Sequence, residues 1–194
     1  MTEQRIGCIL MAAGNASRFG RNKLMEPLNG KPLFCRALEA IPPQCFEHVV
    51  IVSQYPEFAR YVKEFSFTFI LNDFPKNGIS HTIRLGLDAL PSCDGVLFCV
   101  SDQPLLRRET IVQLTSLWRS SPEKIAATAH EGVRGNPCLF PARFFPELLA
   151  LTGDKGGSAV IRRHEKDLVL LEADALELMD ADTPEALAEI RNWI

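Results

Sequence analysis

The sequence predicts an α/β fold, a doubly wound and mainly parallel sheet, on three observations. Ile6-Gly7-Cys8-Ile9-Leu10, His48-Val49-Val50-Ile51-Val52-Ser53 and Gly95-Val96-Leu97-Phe98-Cys99-Val100 are apolar runs of the kind shown by strands buried on both faces. Stretches with apolar residues at helical spacing separate these runs, so strands and helices alternate along most of the chain. The first and last of the runs turn abruptly small or polar at their ends, and the exits of parallel strands are where ligands sit in open α/β sheets.

Taken in order, Ile6 to Leu10 is the first strand. Asn29-Gly30 is a turn, and Pro32 suits the first turn of a helix through Leu33, Ala37 and Leu38 to Ile41, stopped by Pro42-Pro43. His48 to Ser53 is an interior strand because it is continuous and β-branched. Phe58, Tyr61, Val62 and Phe65 recur at helical spacing between Pro56 and Phe65, and Phe67 to Leu71 is a third strand. The polar loop Asn72 to Gly78 leads into a helix from Ser80 through Ile83 and Leu87 to Leu90. Gly95 to Val100 is the next strand, and Thr110 to Trp118 a helix with Ile111, Leu114 and Trp118 on one face.

Beyond these, Ile125 to Thr128 predicts a short strand, and Gly132-Val133-Arg134-Gly135-Asn136-Pro137 a glycine-rich turn. Helices are expected over 144–151 and 158–163, with short strands at 168–171 and 178–179. Pro184 after Asp182-Thr183 starts a last helix carrying Leu187, Ile190 and Ile194.

With 194 residues, 46% hydrophobic and 23% charged, the chain has the size of one globular domain spanning 1–194. A net charge of -3 argues against general nucleic-acid binding or a membrane surface, which favour a positive excess. The six cysteines form no C-x-x-C pair, and Cys8 and Cys99 sit inside apolar runs as small hydrophobes. The N-terminus enters the first strand with no apolar signal region, and no apolar stretch is long enough to span a bilayer. A reducing cytoplasm is the expected setting.

Chemistry concentrates first at Met11 to Lys23, where small residues let main-chain N–H groups approach an anion and Ser17, Arg18, Arg21 and Lys23 add donors and positive charge. The stretch reads as a cradle for a nucleoside triphosphate. It is not a Walker loop, since Leu24 follows Lys23, and it lacks the third glycine of a dinucleotide fingerprint. An ordinary strand-to-helix turn with solvated cations is the alternative. Asp102 ends an apolar strand at the same sheet edge, where a carboxylate beside a triphosphate calls for a divalent cation between them; capping the Pro104 turn is its other reading. Asp180 and Asp182 point the same way if their segment is extended, and either caps the last helix or completes a two-carboxylate metal site.

The order A-A-G-x-x-S-R-F-G-x-x-K, G-I-S-H-T-I-R-L-G-L, S-D-Q-P, R-G-N-P, G-D-K-G and D-A-D-T-P, running from Met11 to Pro184, resembles the molybdenum cofactor cytidylyltransferases and their nucleotidyltransferase relatives. That resemblance implies a Rossmann-like, three-layer α/β/α nucleotidyltransferase fold that joins CMP from CTP to the phosphate of molybdenum-molybdopterin, with Mg²⁺ and release of pyrophosphate. It implies that Ala12, Ala13, Gly14, Arg18 and Lys23 hold the nucleotide, that Gly78 and Ser80 line base and ribose, and that Asp102 and Asp182 hold the metal, with Asp180 the next choice. Arg134, Gly135, Asn136 and Pro137, with the Gly153 to Gly156 turn, would face the pterin. The chain departs from the family pattern at Asn136, where histidine is usual, and after Gly156; both lie on the acceptor side.

Lys23, Asp102, Asp182 and Arg18 are the expected catalytic set. A molybdoenzyme or its chaperone would receive the product. The competing readings are transfer to a sugar phosphate or other phosphorylated alcohol, and a nucleotide-binding or cofactor-handling module without turnover.

Overall fold

A computed structural model describes residues 4–14 and 22–194. In chain order its strands are β1 (Ile6–Ala12), β2 (Pro27–Leu28), β3 (Lys31–Pro32), β4 (His48–Ser53), β5 (Thr68–Leu71), β6 (Gly95–Val100), β7 (Ile125–His130), β8 (Val133–Pro141) and β9 (Leu168–Glu172). Its α-helices are α1 (Leu33–Ala40), α2 (Ala59–Glu64), α3 (Ile79–Ala89), α4 (Arg108–Ser120), α5 (Phe145–Leu149), α6 (Gly157–Arg163) and α7 (Pro184–Arg191).

Seven strands form one sheet in the order β5-β4-β1-β6-β8-β7-β9. β1 lies in the interior between β4 and β6, parallel to both, and β4–β5 and β7–β9 are parallel as well. Among the described residues β8 alone runs against its neighbours in this sheet, while β2 and β3 pair antiparallel apart from it. The predicted doubly wound, mainly parallel sheet is therefore the observed one.

The alternation of side chains along β1 explains the three layers. Ile6, Cys8, Leu10 and Ala12 face one apolar layer with Phe34 and Leu38 of α1, Val62 of α2, Trp118 of α4 and Ile190 of α7. Ile9 faces the other, with Ile83 of α3, Leu148 of α5 and Val160 of α6. Close packing is built into the glycines here: a Cβ at Gly86 would stand 2.7 Å from Ile9, and one at Gly95 2.6 Å from Trp118.

Two segments depart from the sequence reading. Residues 133–141, read as a turn in their first part, form β8, which is inserted between β6 and β7. Ala127 pairs with Cys138 and Ala129 with Arg134, so Gly135, Asn136 and Pro137 stand opposite Thr128 alone and bulge from the ladder. The glycine and proline mark that bulge, while buried Cys138, Leu139 and Phe140 carry the strand on. Leu178–Met179, expected as a strand, instead lies at the end of a turn closed by the Leu178 N–H to Ala175 and the Met179 N–H to Leu176 carbonyls. Asn29-Gly30 makes the predicted turn, joining β2 to β3 with both residues at positive φ. Among the described residues, no helix is long and apolar enough to cross a membrane.

Candidate active site

Parallel pairing sets the site. Met11 is in register with Val52 on one side and Val100 on the other, so Ala12, Ser53 and the Ser101-Asp102 turn emerge along one edge of the sheet. The exit of β1 is held by its neighbour: Ser53 Oγ donates to the Ala12 carbonyl at 2.9 Å, and Gln54 Nε2 donates to the carbonyls of Ala13 at 3.0 Å and Gly14 at 3.3 Å. Neither side chain stood out in the sequence. The available signal was that they close an apolar strand, as Ser101-Asp102 do.

Lys23 opens a short 3-10 turn, Lys23–Met25, capped by Asn22, whose Oδ1 accepts from the Leu24 N–H at 3.1 Å. Leu24 is buried and anchors the turn, leaving Lys23 to reach over the sheet edge. Its Nζ donates to Asp102 Oδ2 at 2.8 Å and to Asp182 Oδ1 at 2.7 Å. Burial works against the ammonium, but the charges and hydrogen bonds of Asp102 and Asp182 outweigh it and hold the Lys23 pKa above its ordinary value. The Asp102 carbonyl also accepts the Ala181 N–H at 2.8 Å, which ties the two acid-bearing segments together.

Lys23, Asp102 and Asp182 line a cavity of about 290 Å³ together with Ala13, Gly14 and Gly78. Ala12 lies buried at the end of β1 beneath it, and Ser80 is buried in the first turn of α3, its N–H donating to the Gly153 carbonyl at 3.1 Å. Gly78 sits at φ 80, and a Cβ there would stand 2.4 Å from the Gly153 carbonyl group and 2.6 Å from Asp154 Oδ1. The Gly153 to Gly156 turn, expected at the acceptor, thus packs on Gly78, and Asp154 lines this first cavity. Arg18 lies outside the described residues, as do Ser17 and Arg21.

A second cavity, of about 500 Å³, adjoins the acids and is lined by Gln103, Arg134, Gly135, Asn136, Ser158 and Asp180, among others. Arg134 Nη2 donates to Ser158 Oγ at 3.0 Å, and among the described residues no carboxylate pairs with this guanidinium. Pro137 belongs to the sheet, its carbonyl accepting from Thr128 Oγ1 at 3.4 Å. Asp180 and Asp182, expected to point the same way, line different cavities because their segment is pinned at Ala181 rather than free to run as a strand. Burial pushes the Asp180 carboxyl up to about 6, reinforced by the charges of Asp102 and Asp182.

No group of three or more His, Cys, Asp or Glu among the described residues could hold a metal by itself. Two carboxylates do converge on one cation, Lys23. That donor set fits a hard dication that takes only one or two carboxylates and completes its shell with phosphate oxygens. Chemically, the corner can gather a polyphosphate, an anionic acceptor and the positive charge both require.

Residues 8–168 match the MobA-like NTP transferase domain family. The chain is 27% identical over 197 residues to the purine catabolism protein PucB of Bacillus subtilis, covering 94% of each. It is 28% identical over 170 residues to the molybdenum cofactor guanylyltransferase of Vibrio cholerae serotype O1, covering 84% of this chain and 74% of the other. Among solved structures, a nucleotidyl transferase from Methanothermobacter thermautotroptrophicus superposes with a TM-score of 0.82 at 20% identity, over 97% of both chains. The Rv0371C protein of Mycobacterium tuberculosis in complex with manganese gives 0.77 at 19% identity, over 98% of this chain and all of the other. These two structures share the fold.

Proposed function

The chain belongs to the MobA-like NTP transferase family, and from that premise we propose that it transfers CMP from CTP to the phosphate of molybdenum-molybdopterin, releasing pyrophosphate, with 1–194 acting as one domain. The observation that carries the reading is the meeting of Lys23 with Asp102 and Asp182 at the exits of β1 and β6. A module that only bound nucleotide would have no need of paired acids where a triphosphate must lie.

In this reading Ala12, Ala13 and Gly14 approach the nucleotide with their backbone, Arg18 and Lys23 draw in the triphosphate, and Gly78 and Ser80 shape the base and ribose end. Asp102 and Asp182 would hold Mg²⁺, which when bound supplies positive charge against the triphosphate. Arg134, Gly135 and Asn136 orient the acceptor phosphate from the second cavity, with Pro137 setting the bulge that presents them. An acceptor oxygen attacks the α-phosphorus in line, the bond from that phosphorus to the bridging oxygen breaks, and pyrophosphate leaves. No base is required, because the acceptor phosphate is already ionised. The chain's task is alignment and charge cancellation, with Lys23 facing the charge that grows on the leaving oxygen.

Ala12-Ala13 before Gly14 supports cytidine within the family resemblance, where relatives that use GTP resemble A-G-G; a guanylyl donor is the second reading, supported by the name of the Vibrio relative. The six free cysteines support a reducing cytoplasm as the setting. The test is pyrophosphate release from each of four nucleoside triphosphates with Mg²⁺, in the presence of molybdopterin or of a sugar phosphate. Turnover with CTP and molybdopterin is expected. Turnover only with GTP, or only with the sugar phosphate, replaces that part of the reading, and no turnover with any pair overturns it.

A further inference from the structure

One buried acid is absent from the mechanism above. Glu177 is 3% exposed and sits in the turn between β9 and the acid-bearing segment. Its carboxylate takes four hydrogen bonds from the start of α4: Arg107 N–H at 2.9 Å, Arg107 Nε at 2.8 Å, Arg107 Nη2, and Thr110 Oγ1 at 2.5 Å. α4 lacks a side-chain cap of its own at Arg107, and a carboxylate from far along the chain takes the N–H of that residue together with the Thr110 hydroxyl in the first turn.

The position of this joint gives it meaning. Asp102 lies five residues before Arg107, and Asp182 five residues after Glu177. The two segments run side by side from the joint to the acids, crosslinked by Gln103 Nε2 to the Leu178 carbonyl at 3.2 Å and closed by Ala181 N–H to the Asp102 carbonyl at 2.8 Å. On the outer side, Leu178 rests against Gly135, where a Cβ would stand 3.1 Å from Leu178 Cδ1. The segment carrying Asp182 has no regular structure to hold it, and Glu177 is its buried polar anchor.

We infer that Glu177 is a positioning residue: its clamp on Arg107 and Thr110 sets the separation of Asp182 from Asp102, and so the affinity of that carboxylate pair for a divalent cation. The inference rests on the reading of Asp102 and Asp182 as the metal-holding pair. Groups hydrogen-bonded directly to metal ligands change metal affinity by about 10- to 100-fold when removed, and Glu177, which reaches Asp182 through five residues of backbone, should act at the lower end of that range.

The experiment is a titration of the full chain with Mn²⁺, following free Mn²⁺ by electron paramagnetic resonance, for the unaltered protein and for Glu177→Ala, Glu177→Gln and Asp102→Asn. All are compared well below their melting temperatures. Glu177→Ala should weaken Mn²⁺ binding about tenfold, with Glu177→Gln in between because its carbonyl still accepts from Arg107. The Mn²⁺ concentration for half-maximal turnover should rise in parallel, while the nucleotide KM at saturating Mn²⁺ stays within about threefold. A merely structural role would lower the melting temperature and leave Mn²⁺ affinity unchanged, which overturns the inference. Should Glu177→Ala not fold, the glutamine variant decides by the same readout. Asp102→Asn should lose Mn²⁺ binding; if it binds as the unaltered chain does, the metal-pair reading itself falls, and the inference with it.

Discussion

Lys23 and Asp182 stand 159 residues apart in the chain, and the Lys23 ammonium lies 2.7 Å from Asp182 Oδ1. It lies 2.8 Å from Asp102 Oδ2 as well, so one cation joins the turn after β1 to two later segments. Lys23→Met keeps the stem of the side chain and removes the charge. With charge-assisted hydrogen bonds worth about 1.5–3 kcal/mol each, CTP should bind about 10- to 100-fold more weakly. Free cytidine, which carries no phosphate, should change by less than about threefold. Isothermal titration with the two ligands separates these, and equal losses would contradict a role at the phosphates.

The two acids should not weigh equally. Asp102 is the less exposed, at 25% against 48% for Asp182, and it stands directly beyond β6 in the middle of the sheet. Electrostatic groups aimed at developing charge cost about 10²- to 10³-fold in rate when removed, so Asp102→Asn should reduce pyrophosphate release by that order and Asp182→Asn by less. Circular dichroism should show both variants folded. Unchanged turnover in Asp102→Asn would remove that carboxylate from the chemistry.

How much of this was legible in the chain follows from what each part depends on. β4 and β6 occupy the residues their apolar runs predict, because each run is only six residues long, bounded by polar or turn residues, and too short for a buried helix. Lys23, Asp102 and Asp182 could be singled out because each follows or precedes a clear structural boundary. β8 was hidden, since Gly135 and Pro137 read as a turn until the bulge opposite Thr128 shows how a strand accommodates them. Glu177 was hidden for a different reason. Its partners Arg107 and Thr110 lie about 70 residues away, and nothing local distinguishes a buried glutamate from a solvated one.

Gly78 and Gly30 make a matched pair of tests. Both have positive φ, but a Cβ at Gly78 would meet the Gly153 backbone at 2.4 Å, whereas one at Gly30 meets nothing within 4 Å. Each alanine carries the conformational cost, about 1–3 kcal/mol, and only Gly78→Ala must also push apart the loops that shape the first cavity. Gly78→Ala should lower the melting temperature by about 5 °C or more and raise the nucleotide KM about tenfold. Gly30→Ala should lose less stability and leave KM alone. If both variants shift KM equally, the contact between Gly78 and Gly153 does not shape the site.

Arg134 should act on the acceptor alone. It is half-buried, it pairs with no carboxylate among the described residues, and it lines the second cavity, so an anionic acceptor is its natural partner. Arg134→Ala should raise the acceptor KM about 10- to 100-fold and leave nucleotide affinity within about threefold. Cys138 reports whether the cavity wall survives the change. Burial pushes its thiol up to about 11 against the opposing charge of Arg134, so at pH 8 it stays protonated and out of reach. Iodoacetamide at that pH should label Cys45, which solvent reaches, and spare the buried Cys8, Cys35, Cys99 and Cys138, as peptide mass spectrometry can show. Removing Arg134 takes away the one influence that lowers the Cys138 pKa, so an intact wall keeps the thiol unreactive in the variant too. Loss of acceptor binding with Cys138 still protected assigns the effect to the lost guanidinium, whereas labelling of Cys138 in Arg134→Ala would trace it to an opened strand.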